Sequence, residues 1–175
     1  FRDGMMRFWR SYRPLTFSEG AVRGTTPKYV IYGLMGLALE AMDNPDWPNH
    51  LSTPEIELAT SYAINELNGF PSWLPALCKR NRDVVAKILL DEIDAELERG
   101  DATSENCHVL NTVSWHAEWL WNDIAVNLLN RIGKPPFNTS VFQNILTIIQ
   151  GSSIEDGVIA NHISSILRNE GSHSI

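Results

Sequence analysis

Apolar residues recur at helical spacing along the whole chain, and no stretch alternates apolar and polar residues with the two-residue period of a strand. The pattern is clearest over residues 83–99, where Val85, Leu89 and Ile93 fall on one side and charged residues on the other. It therefore predicts an all-α protein.

Start and stop signals divide this pattern into seven to nine helices. Ser52 and Glu55 form a capping box ahead of one helix, and Asn68-Gly69 supplies a left-handed stop behind it. We expect helices over residues 3–12, 27–43, 53–67, 72–79, 83–99, 105–132, 139–150 and 153–169, with an interruption near Trp119 left open.

The helix over residues 27–43 is apolar almost all round, which predicts a central position, and Gly33 and Gly36 would let other helices approach it closely. In the last helix we expect Ile159, Ile163 and Ile166 to be buried. Other expected core residues are Leu37, Ala63, Leu89, Ile93, Trp115, Leu120 and Leu128.

The spacing of the helices predicts their arrangement. Antiparallel pairs would begin near residues 27, 73, 105 and 139, at intervals of 46, 32 and 34 residues, close to the periods of helical repeats. This favours an irregular HEAT-like α-solenoid, and a closed helical bundle is the alternative. Residues 1–26 are predicted to form an initial helix and linker, and residues 27–175 a single helical domain.

The charge balance disfavours some classes of partner. Fourteen Lys and Arg against twenty-one Asp and Glu give a net charge of -7, which repels phosphate backbones and anionic lipids. The longest apolar run, residues 30–39, is shorter than the ~18 residues that a membrane-spanning helix needs. We therefore expect a cytoplasmic protein that binds neither nucleic acid nor membrane, with Cys78 and Cys107 as buried thiols. Because the chain begins with Phe1, we interpret it as a piece of a longer polypeptide.

Residues 1–23 carry a local excess of arginine, namely Arg2, Arg7, Arg10, Arg13 and Arg23. We expect this basic segment to dock on an acidic surface of the same domain or of a neighbouring one.

Motifs for cofactor or metal chemistry are missing from the sequence. The Gly133-Lys134 pair is followed by Pro135 and lacks the first glycine of a phosphate-binding loop, and the eight-residue spacing of His108 and His116 does not suit one metal ion. We therefore expect neither a cofactor nor a metal. The acidic run Asp91, Glu92, Asp94, Glu96 and Glu98 is interpreted as a solvated helix face.

Two functions remain open from the residues alone. The first is a non-catalytic interaction domain. The second is a small helical enzyme, because histidine beside carboxylate is a workable acid–base pair near neutral pH. The residues of such a site would be His108, His116, Glu118 and Asp123.

Two features indicate candidate interaction residues. Trp47 and Trp73 lie in proline-flanked loops and serve either as core anchors or as part of a partner-binding patch. The helix over 139–150 is apolar on nearly every side, so Phe142, Leu146 and Ile149 are candidates for contact with another domain, another protein or a second copy of this chain. Alternatively, residues 1–17 fold back over that helix.

Residues 33–77 contain Gly-Leu-Met-Gly-Leu-Ala-Leu-Glu-Ala and then Asn-Glu-Leu-Asn-Gly-Phe-Pro-Ser-Trp-Leu-Pro. This segment resembles a helical region of large bacterial proteins that carry a NACHT-like signal-transducing ATPase module, several of them suspected of antiphage defence. The resemblance covers about a quarter of the chain and implies a helical scaffold or sensor beside the ATPase. It implies no catalytic residue.

Overall fold

The structure, a computed structural model, describes residues 2–21, 26–98, 107–132 and 138–171, except the side chains of residues 167 and 169–171. Within these ranges the chain forms nine α-helices and three short 3₁₀-helices, and no strand. The all-α prediction is confirmed. Contacts divide the chain into two compact units, residues 1–99 and residues 100–175. The solenoid or bundle arrangement and the predicted domain over residues 27–175 stay predictions.

The first unit contains five α-helices and two 3₁₀-helices. The 3₁₀-helices are Trp9–Ser11 and Trp47–His50. The α-helices are α1 (Arg2–Phe8), α2 (Lys28–Asp43), α3 (Thr53–Ile64), α4 (Leu74–Arg80) and α5 (Arg82–Glu98). At the start of α3, the Ser52 backbone N–H donates to the Glu55 carboxylate at 2.9 Å, as the capping pattern predicts.

The core of the first unit forms where α2, α3, α4 and α5 bury their apolar faces. The predicted core residues Leu37, Ala63, Leu89 and Ile93 are all buried, which confirms the helical periodicity from which they were inferred. They are joined by Trp9, Tyr62, Leu74, Leu77 and Val85.

Two glycines of α2 allow neighbouring chain segments to approach, as expected. A Cβ at Gly33 would lie 2.1 Å from the Tyr62 ring of α3, and a Cβ at Gly36 would lie 2.3 Å from the Met5 carbonyl oxygen of α1. These contacts cover only one side of α2, because Ile31 and Met35 on the other side are exposed. Neighbouring elements therefore cover one side of α2 and leave the other side exposed, so the predicted central position is found on one side only.

The arginines of the first segment bind acidic residues of their own unit. The Arg2 guanidinium lies 2.7 Å from Asp43, and Arg10 bonds to Glu40 at 2.8 Å and to Glu55 at 2.6 Å. The prediction that this basic segment docks on an acidic surface is confirmed for these two arginines. Arg23 lies outside the described residues.

The second unit contains four α-helices: α6 (His108–His116), α7 (Trp121–Leu129), α8 (Thr139–Gly151) and α9 (Asp156–Gly171), with a 3₁₀-helix at Glu118–Leu120. Helix α8 packs against α6 and α7. Leu120 and Leu128 are buried, as predicted. Further core residues are Leu110, Ile124 and Ile145. The predicted break at Gly133, Pro135 and Pro136 lies outside the described residues.

Two expected core residues of this unit are exposed instead. Trp115 is 72% exposed, because it lies on the side of α6 away from the buried Val109, Leu110 and Val113. Five residues separate Trp115 from Leu120, which is about 140° around a helix even without the interruption, so the two could not share a buried face. Ile163 of α9 is also exposed, while Ile159 and Ile166 are half-buried.

Candidate interaction surface

Trp47 and Trp73 lie in the interior of the first unit. Their rings meet edge to face with centroids 5.8 Å apart, and both side chains are buried. Edge-to-face contact between large rings stabilises a core beyond the area that it buries. The structure thus places both tryptophans where the core-anchor interpretation expects them, and neither offers an exposed ring to a partner.

The three candidates on α8 differ in exposure. Phe142 is exposed, Leu146 is half-buried and Ile149 is buried. Ile149 is covered because α8 also buries Val141, Ile145 and Ile148. Of the predicted trio, Phe142 presents the most surface to a partner.

The residues of the alternative enzyme site lie on three separate elements. His108 and His116 are the first and last residues of α6, Glu118 begins the following 3₁₀-helix and Asp123 lies in the first turn of α7. His116 and Glu118 are both exposed. Among the described residues, no three His, Cys, Asp or Glu side chains are placed to hold one metal ion.

The acidic run of α5 does not form a uniformly solvated face, and that interpretation is wrong for Glu92 and Glu96. Both are almost completely buried. The Ser18 backbone N–H donates to Glu92 at 3.1 Å, and the Ser18 hydroxyl bonds to the other carboxylate oxygen. The sequence could not indicate this, since the partner of Glu92 lies 74 residues away.

A polar cavity of about 180 Å³ lies beside Glu92. Three of its charged lining residues are in ion pairs: Arg13 pairs with Glu19 at 2.5 Å, and Asp91 pairs with Lys87 at 2.5 Å. Since Ser18 and Glu92, which are hydrogen-bonded to each other, also line it, the cavity lies where the segment around Ser18 packs on α5.

Large apolar side chains are exposed along one face of α2. Ile31, Tyr32, Met35 and Met42 are 46%, 45%, 50% and 78% exposed. At 100° per residue these positions fall on one side of the helix, opposite the buried Val30 and Leu37. We call these four residues the α2 stripe.

Aromatic rings extend the α2 stripe over the first segment. Phe8 contacts Tyr32 with ring centroids 5.9 Å apart and contacts Tyr12 at 5.1 Å, and Tyr12 stacks on Tyr29 at 5.6 Å. Tyr12 is itself about half exposed. The rings therefore form a continuous apolar surface with the stripe.

On its other flank the α2 stripe borders a groove of about 400 Å³. Ile31 and Met35 form one wall, and Leu67 and Pro71, from the loop between α3 and α4, form another. Leu67 is 67% exposed. Stripe, rings and groove make one apolar patch on the first unit, and patches of this kind are typical of surfaces that bind another protein.

Sequence reasoning missed the α2 stripe, although α2 was seen to be apolar almost all round. That pattern does not tell which side other helices will cover. One signal was present: Lys28 stands at the first turn and Asp43 at the last, the reverse of the order that a helix dipole favours.

None of the helices in the described part of the chain combines the length and the apolar character needed to cross a membrane. Comparison of the chain with protein-family models, with curated proteins and with solved structures found no match.

Proposed function

We propose that the chain is a non-catalytic helical interaction domain, of the scaffold or sensor type, within a larger cytoplasmic bacterial signalling or defence ATPase. The observation that carries the interaction function is the α2 stripe with its flanking rings and groove. This helix face carries four large apolar residues, each about half exposed or more. Their contact with water is unfavourable, and a partner that covered them would remove this cost.

The close packing of α2 against its neighbours also supports a binding role. Gly33 lies against Tyr62 and Gly36 lies against Met5, so α2 is held closely from behind. A partner that docks on a preformed surface loses less conformational entropy than one that must order the surface first.

The parent ATPase rests on the resemblance of residues 33–77 alone. Its test is to read the gene in both directions from this segment. A phosphate-binding loop of the form G-x-x-x-x-G-K-[ST] in the same reading frame is the expected result. A reading frame without any nucleotide-binding module would overturn this half of the proposal.

The interaction half is tested by site-specific photo-crosslinking in cells. A photoreactive amino acid replaces Tyr32 in one variant and the exposed Val126 of α7 in a matched control. We expect a crosslinked product of higher mass from position 32 only, and its loss when Met35→Lys is added. If position 32 gives no product, or gives one that Met35→Lys leaves unchanged, the α2 stripe is not an interaction surface.

A further inference from the structure

The charges on α2 indicate what kind of partner the α2 stripe accepts. Lys28 and Asp43 lie at opposite ends of the helix, and both are exposed. At 100° per residue they fall on the same side as Ile31, Tyr32, Met35 and Met42, within about a third of the circumference. The stripe is therefore an apolar surface with a cation at one end and an anion at the other.

Each of these charges is poorly placed for the helix on its own. A helix favours anions at its N-terminus and cations at its C-terminus, and α2 has the opposite order. No ion pair joins Lys28 to another of the described residues, and Asp43 is paired only with the exposed Arg2. A partner that brought an anion to Lys28 and a cation to Asp43 would correct both ends at once.

A second α2 helix in antiparallel orientation meets this requirement. Its Asp43 lies beside Lys28 of the first copy, and its Lys28 lies beside Asp43, so one twofold axis creates both pairs. The axis passes midway between positions 28 and 43, which is next to Met35. A parallel arrangement would instead bring like charges together at both ends.

The exposed area is of the size that such an interface needs. A specific interface takes about 800 Å² from each partner. The four residues of the stripe, with Tyr12 and Leu67, are each about half exposed or more and together supply on the order of 600 Å² of apolar surface. The polar residues around them can provide the remainder.

We propose that the partner of the α2 stripe is a second copy of this chain, docked with the two α2 helices antiparallel. The inference rests on the proposed interaction function and names its partner. Interfaces of this area have dissociation constants from about micromolar to about picomolar.

The first experiment measures self-association of the 175-residue chain by sedimentation velocity over a concentration series. We expect a reversible dimer of twice 19.7 kDa. Met35→Lys places two cations at the twofold axis and should weaken the dimer at least tenfold. The matched control Val126→Lys adds the same charge at an exposed position of α7 and should leave the dimer unchanged. Far-ultraviolet circular dichroism verifies that both variants are folded.

The second experiment tests the antiparallel pairing by charge exchange. Lys28→Glu and Asp43→Lys each create like-charge contacts in their own homodimers, so each variant alone should associate weakly. In a mixture, the introduced glutamate of one chain meets the introduced lysine of the other, while the unchanged Asp43 and Lys28 form the second pair. We expect the mixture to form heterodimers with affinity close to that of the original chain.

The inference is overturned if the chain stays monomeric at about 100 μM, well above a micromolar dissociation constant. It is also overturned if Met35→Lys dimerises as strongly as the original chain, or if mixing the two charge variants restores nothing. A photo-crosslink from position 32 to a different protein would refute the homodimer while leaving the proposed interaction function in place. No crosslink at all would refute both.

Discussion

Gly36 in α2 lies against the backbone carbonyl of Met5 in α1, so closely that a Cβ at position 36 would stand 2.3 Å from that oxygen. A backbone atom cannot move aside as the tip of a long side chain can, so any larger residue would have to push α1 away from α2. Since α1 carries the chain into the buried Trp9, this contact sets where the first segment sits on the unit.

Gly36→Ala should therefore destabilise the first unit despite the better helix propensity of alanine. We expect the free energy of unfolding to fall by about 1–3 kcal/mol, as for other overpacked sites. Gly4→Ala in α1 is the matched control, because a Cβ at Gly4 meets no atom within 4 Å. The control should be neutral or stabilising by about 0.5–1 kcal/mol. Urea unfolding measures both, and equal effects of the two variants would contradict the close contact.

The carboxylate of Glu40 is the acceptor for a buried indole. The Trp9 Nε1–H donates to it at 2.7 Å, and Arg10 donates to both of its oxygens at 2.8 and 2.9 Å. Glu40→Ala leaves the buried donor without a partner, so we expect the free energy of unfolding to fall by about 2 kcal/mol. Glu40→Gln keeps an acceptor for Trp9 and should lose less. As a control, Asp91→Ala removes the exposed partner of Lys87 and should lower the free energy of unfolding by under about 0.5 kcal/mol. A loss as large as that of Glu40→Ala would mean that the burial of Trp9 is not the cause of the Glu40 effect.

Glu55 should make the stability of the first unit sensitive to acid. Partial burial raises the pKa of Glu55, but the hydrogen bonds from Arg10 and Ser52 outweigh it and hold the pKa below the ordinary value of 4.5. A carboxyl whose pKa is lower in the folded chain stabilises the fold above its unfolded pKa, and the contribution is lost as the pH falls through the folded value. Because Glu55 is partly exposed, we expect Glu55→Gln to cost at most about 1 kcal/mol at neutral pH.

The measurement is the difference in free energy of unfolding between Glu55→Gln and the original chain, as a function of pH. The difference should be constant at neutral pH and should be lost as the pH falls below the ordinary pKa of 4.5 and through the lower folded pKa of Glu55. Glu57→Gln alters an exposed carboxyl of the same helix and provides the comparison. A difference for Glu55→Gln that persists unchanged in acid would rule out the ion pair as its cause.

Tyr62 should make the fold sensitive to alkali. Burial raises the pKa of Tyr62 to about 12, with a smaller contribution from Tyr29, and its hydroxyl donates to the Tyr12 carbonyl at 2.8 Å. A phenol whose pKa is raised on folding contributes fully below its unfolded pKa of about 10, and this contribution is lost as the pH rises towards the folded value. The original chain should therefore lose stability relative to Tyr62→Phe between about pH 10 and pH 12. Parallel stability curves for the two proteins over that range would contradict the assignment.

Truncation to alanine should change the free energy of unfolding little at Trp115 and strongly at Leu120. Trp115 is exposed, so Trp115→Ala should change the free energy of unfolding by no more than about 0.5 kcal/mol. Leu120 is completely buried, and Leu120→Ala should cost about 2–5 kcal/mol. Urea unfolding of the two variants measures this contrast. A large loss for Trp115→Ala would mean that the ring is covered.

The sequence predicted only part of the candidate site. The apolar character of α2 and the charges of Lys28 and Asp43 are local properties and were visible. Which face of α2 is covered depends on Met5 and Tyr62, which come from other elements. Trp47 and Trp73 were open between a core and an interface position, since an aromatic residue in a loop suits both, and the structure places them in the core.

The sequence by itself determined the helical class, most helix positions and the buried stripes, since the periodicity of apolar residues and the caps act within a few turns of chain. It also indicated that the basic first segment binds acidic residues, without identifying which ones. Only the tertiary structure decided that Glu92 is buried beside Ser18, that Trp115 faces water and that the α2 stripe is exposed. Each of these depends on which side of a helix other elements cover, and those elements come from residues far apart in the chain. Burial depends on how the helices of a unit pack together, and the local sequence pattern determines only which residues can be buried.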